Sequence, residues 1–185
     1  METLKAIQTR NSIPFLKDPA PTPDQMSVLY RGALRAPDHA NLRPWKFIEV
    51  RGEARTKLGQ TFLRTAESLG DNLTDSERDK LIAAPLRAPM IIILAADIKI
   101  HPKVPEIEQI ISLGTAAQNI LLGLHDMGFA AVWRTGKMAF NPVITKELGL
   151  NENFQIIGYI YVGTSTGKEK PLPEHEIENF VEYWN

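Results

Sequence analysis

The sequence has no cysteine among its 185 residues. Disulfides, thiolate metal ligands and a thiol nucleophile are therefore excluded together, and a reducing compartment is the natural fit. Neither charge is in surplus: 21 Lys and Arg face 22 Asp and Glu, for a formal net charge of −1, whereas nucleic-acid binders usually carry a basic excess. Long hydrophobic runs are also missing. The longest, "PMIIILAA" at 89–96, is far too short to cross a bilayer and reads as a buried strand. The first ten residues, "METLKAIQTR", lack the apolar core and cleavage pattern of a signal peptide. A cytoplasmic protein that engages neither membrane nor nucleic acid is expected. His39, His101, His125 and His175 show no metal-ligand spacing, so no metal is expected. No G-x-S-x-G elbow or G-x-G-x-x-G fingerprint occurs. "GTSTGK" at 163–168 has three residues between its glycines and Glu169 after its lysine, which reads as a polar turn rather than a phosphate loop.

What is there is an ordinary globular composition, 43% hydrophobic and 23% charged, at a length that suits one domain over residues 1–185. Apolar spacing predicts a short helix at 3–9 and a second helix announced by Thr22-Pro23-Asp24-Gln25, a cap followed by proline and a capping-box glutamine. Its apolar side carries Met26, Leu29, Tyr30, Ala33 and Leu34. Strands are predicted at 46–50, 90–97, 130–135 and 155–163. Further helices are predicted from Ala54 to Leu69, over 106–127, and from Asn141-Pro142. Residues 71–81, "DNLTDSERDKL", read as polar and mobile. The tail is aromatic, ending in Phe180, Val181, Tyr183 and Trp184, as expected of a segment that docks. The fold class is α+β, with a sheet of about four strands.

Three clusters carry chemistry. Arg10-Asn11-Ser12 follows the first helix; an arginine beside a hydroxyl suits a phosphate clamp, or is a solvated helix end. The loop "RAPDHANLRPW" at 35–45 is stiffened by Pro37 and Pro44, which lowers the entropic cost of holding His39 and Asn41 toward a ligand. Trp45 either shares that role or anchors the turn in the core. In "GFAAVWRTG" at 128–136, Trp133 and Arg134 precede Gly136, where backbone can approach a planar ligand or simply turn. No residues form a self-sufficient catalytic set, which points to chemistry carried by a bound cofactor.

Taken in this order, the clusters resemble the nitroreductase family of FMN-dependent oxidoreductases. The similarity runs through "RNS", "APDHANLRPWKF", "GTAAQNILLGLHDMGFAAVWRTG" and "IIGYIYVGTSTGKEKP", nearly the whole chain. The "APDH" variant, the early arginine and the short length look most like the small bacterial YdjA-like subgroup. The resemblance implies a nitroreductase-like fold, with a mixed or antiparallel central sheet flanked by helices. It also implies a homodimer with two FMN sites at the subunit interface. Arg10, Asn11 and Ser12 would hold the phosphate and ribityl groups, while Arg35 and His39 would reach the partner's flavin. Trp133, Arg134, Thr135 and Gly136 would lie along the isoalloxazine ring. Asp38 and Arg43 stand where the family usually has serine and glutamine, which places a carboxylate near the flavin. Lys168 or Lys170 would supply a further cation to the phosphate.

The implied reaction is a ping-pong transfer of hydride from NAD(P)H through FMN to an acceptor such as a nitroaromatic or quinone. No side chain need act as acid or base. The same fold also accommodates flavin reductases, oxygen-using desaturases and flavin-binding proteins without turnover. The 106–127 helix is the expected interface, because Ile110, Ile111, Leu113, Ala117, Ile120, Leu121 and Leu124 spread wider than one core-facing stripe.

Overall fold

The computed structural model describes residues 2–167 and 171–184. The apolar strand signals of the sequence resolve into a 5-stranded sheet. β3 (Met90–Asp97) lies between β2 (Trp45–Arg51) and β5 (Phe154–Ser165). β4 (Ala130–Arg134) pairs with β5 over 159–163, and the short β1 (Leu16–Lys17) pairs with the last two residues of β5. Every pairing is antiparallel. The strand count exceeds the expected four because β1 is only two residues long, too short to show a period in sequence.

β3 is buried on both faces, which is why its sequence runs apolar without alternation. Met90, Ile92, Leu94 and Ala96 point to one core, shared with α2 (Pro23–Ala33) and α5 (Glu106–Asp126). Ile91, Ile93 and Ala95 point to the other core, shared with α3 (Ala54–Ser68) and α6 (Pro142–Glu147). α1 (Thr3–Thr9) packs beside α5. The Thr22–Gln25 capping box forms as expected. Leu34 and Leu69 are exposed rather than core-facing, because α2 and α3 end at Ala33 and Ser68, one residue before each.

Residues 75–83 carry regular structure. They form α4 (Asp75–Ala83), started by a capping box in which the Glu77 N–H donates to Thr74 Oγ1 and the Thr74 N–H to Glu77 Oε2, at 2.9 Å for the latter. No residue of α4 is buried, so the helix has no apolar period to read. Its flanking Leu73 and its Leu81 rest on the α3 core. The apolar excess of α5 is likewise spent inside the chain: Leu113, Ala117, Ile120, Leu121 and Leu124 are buried in its own core. Ile107 and Ile111, one turn apart, are the large hydrophobic residues of that helix left more than half exposed, at 58% and 57%. Phe180, Tyr183 and Trp184 are exposed too, so the tail does not dock on its own chain.

One irregularity shapes the sheet. The β3–β5 register slips between Leu94 and Ala95: Leu94 pairs with Gly158 but Ala95 pairs with Ile156. The extra residue in β5 is a bulge. It reverses the side-chain alternation, so Ile156, Tyr159 and Tyr161 all face the α3 core while Ile157, Ile160 and Val162 face the α5 core. Gly158 has φ +149, and a Cβ there would sit 2.1 Å from Trp133 Nε1 and 2.9 Å from the Arg134 carbonyl oxygen. Gly158→Ala is therefore expected to lower the unfolding free energy by about 2–4 kcal/mol, through backbone strain plus overpacking. Chemical denaturation measures this; a loss under about 0.5 kcal/mol, the level of an ordinary surface change, would show that β4 yields freely.

Candidate functional site

The loop at 35–45 is held in a conformation that side chains resist. Ala40, Asn41 and Arg43 all have positive φ, at 60°, 53° and 51°, and such residues persist only where surrounding bonds over-determine them. Those bonds are present. The Arg43 N–H donates to Asp38 Oδ2 at 2.7 Å, so the Asp38 carboxylate is committed to bracing the loop. Trp45 Nε1 donates to Ser112 Oγ at 2.9 Å, and that hydroxyl donates to the Pro37 carbonyl at 2.7 Å. Ser112 is buried on α5. His39 Nδ1 lies 2.7 Å from Glu108 Oε2, also on α5, in an exposed pair. Lys99 Nζ donates to the Leu42 carbonyl. The loop is thus fastened to the first half of α5 as a preformed surface.

A cavity of about 520 Å³ opens where α1 ends. Thr9, Arg10 and Asn11 line it with His125, Gly128, Ala131, Ser165 and Gly167. The Ile13 N–H donates to the Ala131 carbonyl at 3.0 Å, so the Arg10–Ile13 segment runs alongside the start of β4. Thr9 Oγ1 donates to the Lys5 carbonyl at 2.6 Å and lies 2.9 Å from His125 Nε2. A hydroxyl has one proton, so His125 Nε2 carries its own and donates to Thr9. Arg10 and His125 are the ionisable side chains on this wall, and no carboxylate is among the described lining residues.

A second cavity, about 470 Å³, lies at the other end of β4. Its walls include Trp133, Arg134, Thr135 and Gly136, faced by Phe62, Leu81, Arg87, Tyr159 and Tyr161. The bulge at Gly158 is what turns both tyrosines this way. Tyr159 donates its hydroxyl to the Met138 carbonyl at 2.5 Å, pinning the turn that follows Gly136. Gly136 has φ +80, and a Cβ there would meet open space, so the backbone at this turn is uncovered. The Arg134 guanidinium lies 5.4 Å from the centre of the Tyr161 ring. Burial pushes the Tyr161 phenol up in pKa, while Arg134 and Arg87 pull it back. Trp133 Nε1 and Arg134 Nε are buried with no hydrogen-bond partner among the described residues, and unpaired buried donors are costly unless a ligand or water meets them. Across the turn, Lys137 pairs with Asp71 at 3.1 Å, joining the turn after β4 to the segment between α3 and α4.

The structure therefore distributes the expected site residues over three places. Arg10 and Asn11 share the first cavity, with Ser12 exposed beside it and its N–H donated to Asn11 Oδ1 at 2.9 Å. Trp133 to Gly136 line the second. Arg35, His39 and Asn41 are exposed and line neither. Lys168 and Lys170, expected near the phosphate, lie outside the described residues. Sequence reasoning missed Arg87 and His125. Arg87 sits in "APLRAP" at 84–89, where nothing local marks it, and only the α3–α4 packing brings it to β4. Among the described residues no cluster of His, Asp and Glu could hold a metal ion, and no helix is long and apolar enough to cross a membrane.

With the geometry in place, comparison with known proteins is informative. Residues 7–164 match the nitroreductase family model. YdjA of Escherichia coli, named for an NAD(P)H nitroreductase activity, is 35% identical over 164 residues, covering 89% of this chain and 88% of that one. A Haemophilus influenzae protein named in the same way is 34% identical over 187 residues, covering 99% and 100%. Among solved structures, a nitroreductase-like protein from Bacillus cereus superposes with a TM-score of 0.84 at 23% identity, covering 100% of this chain and 96% of that one. The FMN-dependent nitroreductase NfnB of Mycobacterium smegmatis, solved with NADPH, gives 0.73 at 17% identity, covering 98% and 97%.

The bracing of the 35–45 loop is open to test through Ser112. Ser112→Ala leaves the Trp45 N–H and the Pro37 carbonyl without their partner, which is expected to cost about 1–3 kcal/mol. Amide exchange over residues 36–45 should quicken while that of β3 stays slow. Unchanged exchange in the loop would mean that other bonds hold it.

Proposed function

Because this chain belongs to the nitroreductase family, we propose that it is an FMN-dependent oxidoreductase drawing its electrons from NAD(P)H. The observation that carries this reading is the uncovered backbone at Thr135-Gly136 beside a cavity with two arginines and no carboxylate among its described lining residues. Such a wall suits a planar, electron-rich ring. The unpaired Arg134 Nε adds a donor that awaits an acceptor. Arg10, at the opposite end of β4, suits the phosphate: a guanidinium can fork across two oxygens. Asn11 and Ser12 offer shorter-range hydrogen bonds to the ribityl hydroxyls.

The chemistry that FMN supplies when bound is two-electron transfer from NAD(P)H to an acceptor such as a nitroaromatic or quinone, one substrate following the other. The protein's own residues bind and orient. Trp133 and the Thr135-Gly136 backbone would hold the ring, and Phe62, Leu81 and Met138 would shield it from water. No Asp, Glu or His is among the described residues lining this cavity, in keeping with a reaction that draws no proton from a side chain. The absence of cysteine accords with a cytoplasmic enzyme.

The same reading makes the enzyme a homodimer. Arg35, His39 and Asn41 stand on the braced loop, exposed and away from both cavities, as residues serving the partner's site would. Ile107 and Ile111 on α5 and the aromatic tail present apolar surface that an interface would cover.

Two experiments decide these points. The purified protein should be yellow, and Arg10→Ala should weaken FMN binding by about 1.5–3 kcal/mol, the scale of a hydrogen bond to a charged group. A colourless protein that takes up no added FMN would refute the reading. For the composite site, chains carrying Arg10→Ala are mixed with chains carrying Arg35→Ala and His39→Ala. A heterodimer of shared sites has one doubly damaged and one intact site, so about half of the FMN capacity should return. If confirmed heterodimers regain none, each site is built within one chain.

A further inference from the structure

We propose that the Tyr161 hydroxyl is a ligand-facing hydrogen-bond donor, kept for a carbonyl, quinone or nitro oxygen of a planar molecule in the cavity at the end of β4. The inference deepens the FMN reading above and rests on it. Tyr161 lies in the middle of the sheet, opposite Ile91 of β3 on one side and Val132 of β4 on the other. It is only 4% exposed, yet it lines the cavity. Its hydroxyl forms no hydrogen bond among the described residues. Tyr159, two residues earlier and as deeply buried, gives its hydroxyl to the Met138 carbonyl. One phenol is used by the fold and the other is not.

Packing does not account for that oxygen. A phenylalanine would fill the same space, and a phenol withdrawn from water without a partner is costly. Burial pushes the Tyr161 pKa up, and the nearby Arg134 and Arg87 pull it back only in part, so the group keeps its proton and stays a neutral donor. The Arg134 guanidinium, 5.4 Å from the ring centre, makes that O–H the better donor. The direction of the bond follows from the rest of the wall. The Arg87, Arg134 and Trp133 side chains can donate but not accept, and no Asp, Glu or His is among the described lining residues. A molecule that satisfies such a wall brings acceptors. A flavin ring has them as carbonyl oxygens, and so does an electron acceptor of the quinone or nitroaromatic class.

Tyr161→Phe removes one oxygen and keeps the ring, so a role in the fold and a role toward a ligand separate. In the full-length chain freed of FMN, Tyr161→Phe should melt no lower than wild type, because no bond of the fold is lost. Tyr159→Phe should melt about 3 °C lower, the shift for one hydrogen bond in a chain of this length. Two binding measurements then identify the oxygen. FMN affinity is read from the quenching of flavin fluorescence. Affinity for 1,4-naphthoquinone is read from the visible band of the oxidised, FMN-loaded protein without NAD(P)H, where nothing turns over. FMN binding about fivefold weaker in Tyr161→Phe assigns the hydroxyl to a flavin carbonyl. Unchanged FMN binding with naphthoquinone about fivefold weaker assigns it to the electron acceptor. Naphthalene, which has the same ring system without oxygens, should bind both proteins equally. Equal affinities of wild type and Tyr161→Phe for both FMN and naphthoquinone would overturn the proposal. So would a Tm lowered as far as that of Tyr159→Phe, which gives the hydroxyl to the fold, or an equal loss of naphthalene binding, which makes the effect one of shape. Failure of the wild type to bind FMN at all is a different result, and removes the reading on which this one rests.

Discussion

The approach of Trp133 to the backbone at Gly158 is the constraint on which the site depends. A single missing Cβ lets the indole lie against β5, and the bulge at the same position shifts the strand's alternation by one residue. Without that shift, Tyr159 and Tyr161 would face α5 rather than α3, and the cavity at the end of β4 would lose two of its walls. The irregularity thus connects packing to chemistry: one glycine decides which face of the sheet is aromatic, and how far Trp133 and Arg134 are drawn in.

Around that point, order is supplied by elements that have no polar obligations. β3 is buried along both faces and α5 along most of its length, so the two cores carry the stability. The regions proposed to bind carry the opposite features: three left-handed residues in the 35–45 loop and, among the described residues, two buried donors without acceptors. Each is unfavourable by itself. They are tolerated because Ser112, Asp38 and Tyr159 tie the affected backbone to the rigid scaffold through short hydrogen bonds. Preorganisation of this kind is what a cofactor site requires.

Most elements were legible in the sequence because burial imposes a period. The boundaries of α5, β3 and β5 follow from their apolar spacing, and α2 from its capping residues. α4 was not legible as a helix, since it buries none of its residues and so shows no stripe; the Thr74–Glu77 capping box was the one available signal. The width of the apolar face on α5 was visible, but not its use. Helices and strands from both sides of the chain take up most of it, and a pattern in one segment carries no information about how many neighbours it meets.

For the site, the local clusters were evident because their chemistry is dense: an arginine beside a serine, a proline-bracketed loop, a tryptophan and arginine before a glycine. Residue identity and spacing alone thus determined the α+β class, the absence of thiol chemistry and the resemblance to flavin-dependent enzymes. Only the tertiary structure decided that Asp38 braces its own loop, that Arg10 and Arg134 stand at opposite ends of one strand, and that Arg87 joins the second cavity. The reason is physical. Hydrogen-bond partners and cavity walls are properties of places where distant segments meet, and Arg87 comes to lie beside β4 only after α3, α4 and the bulged strand have packed.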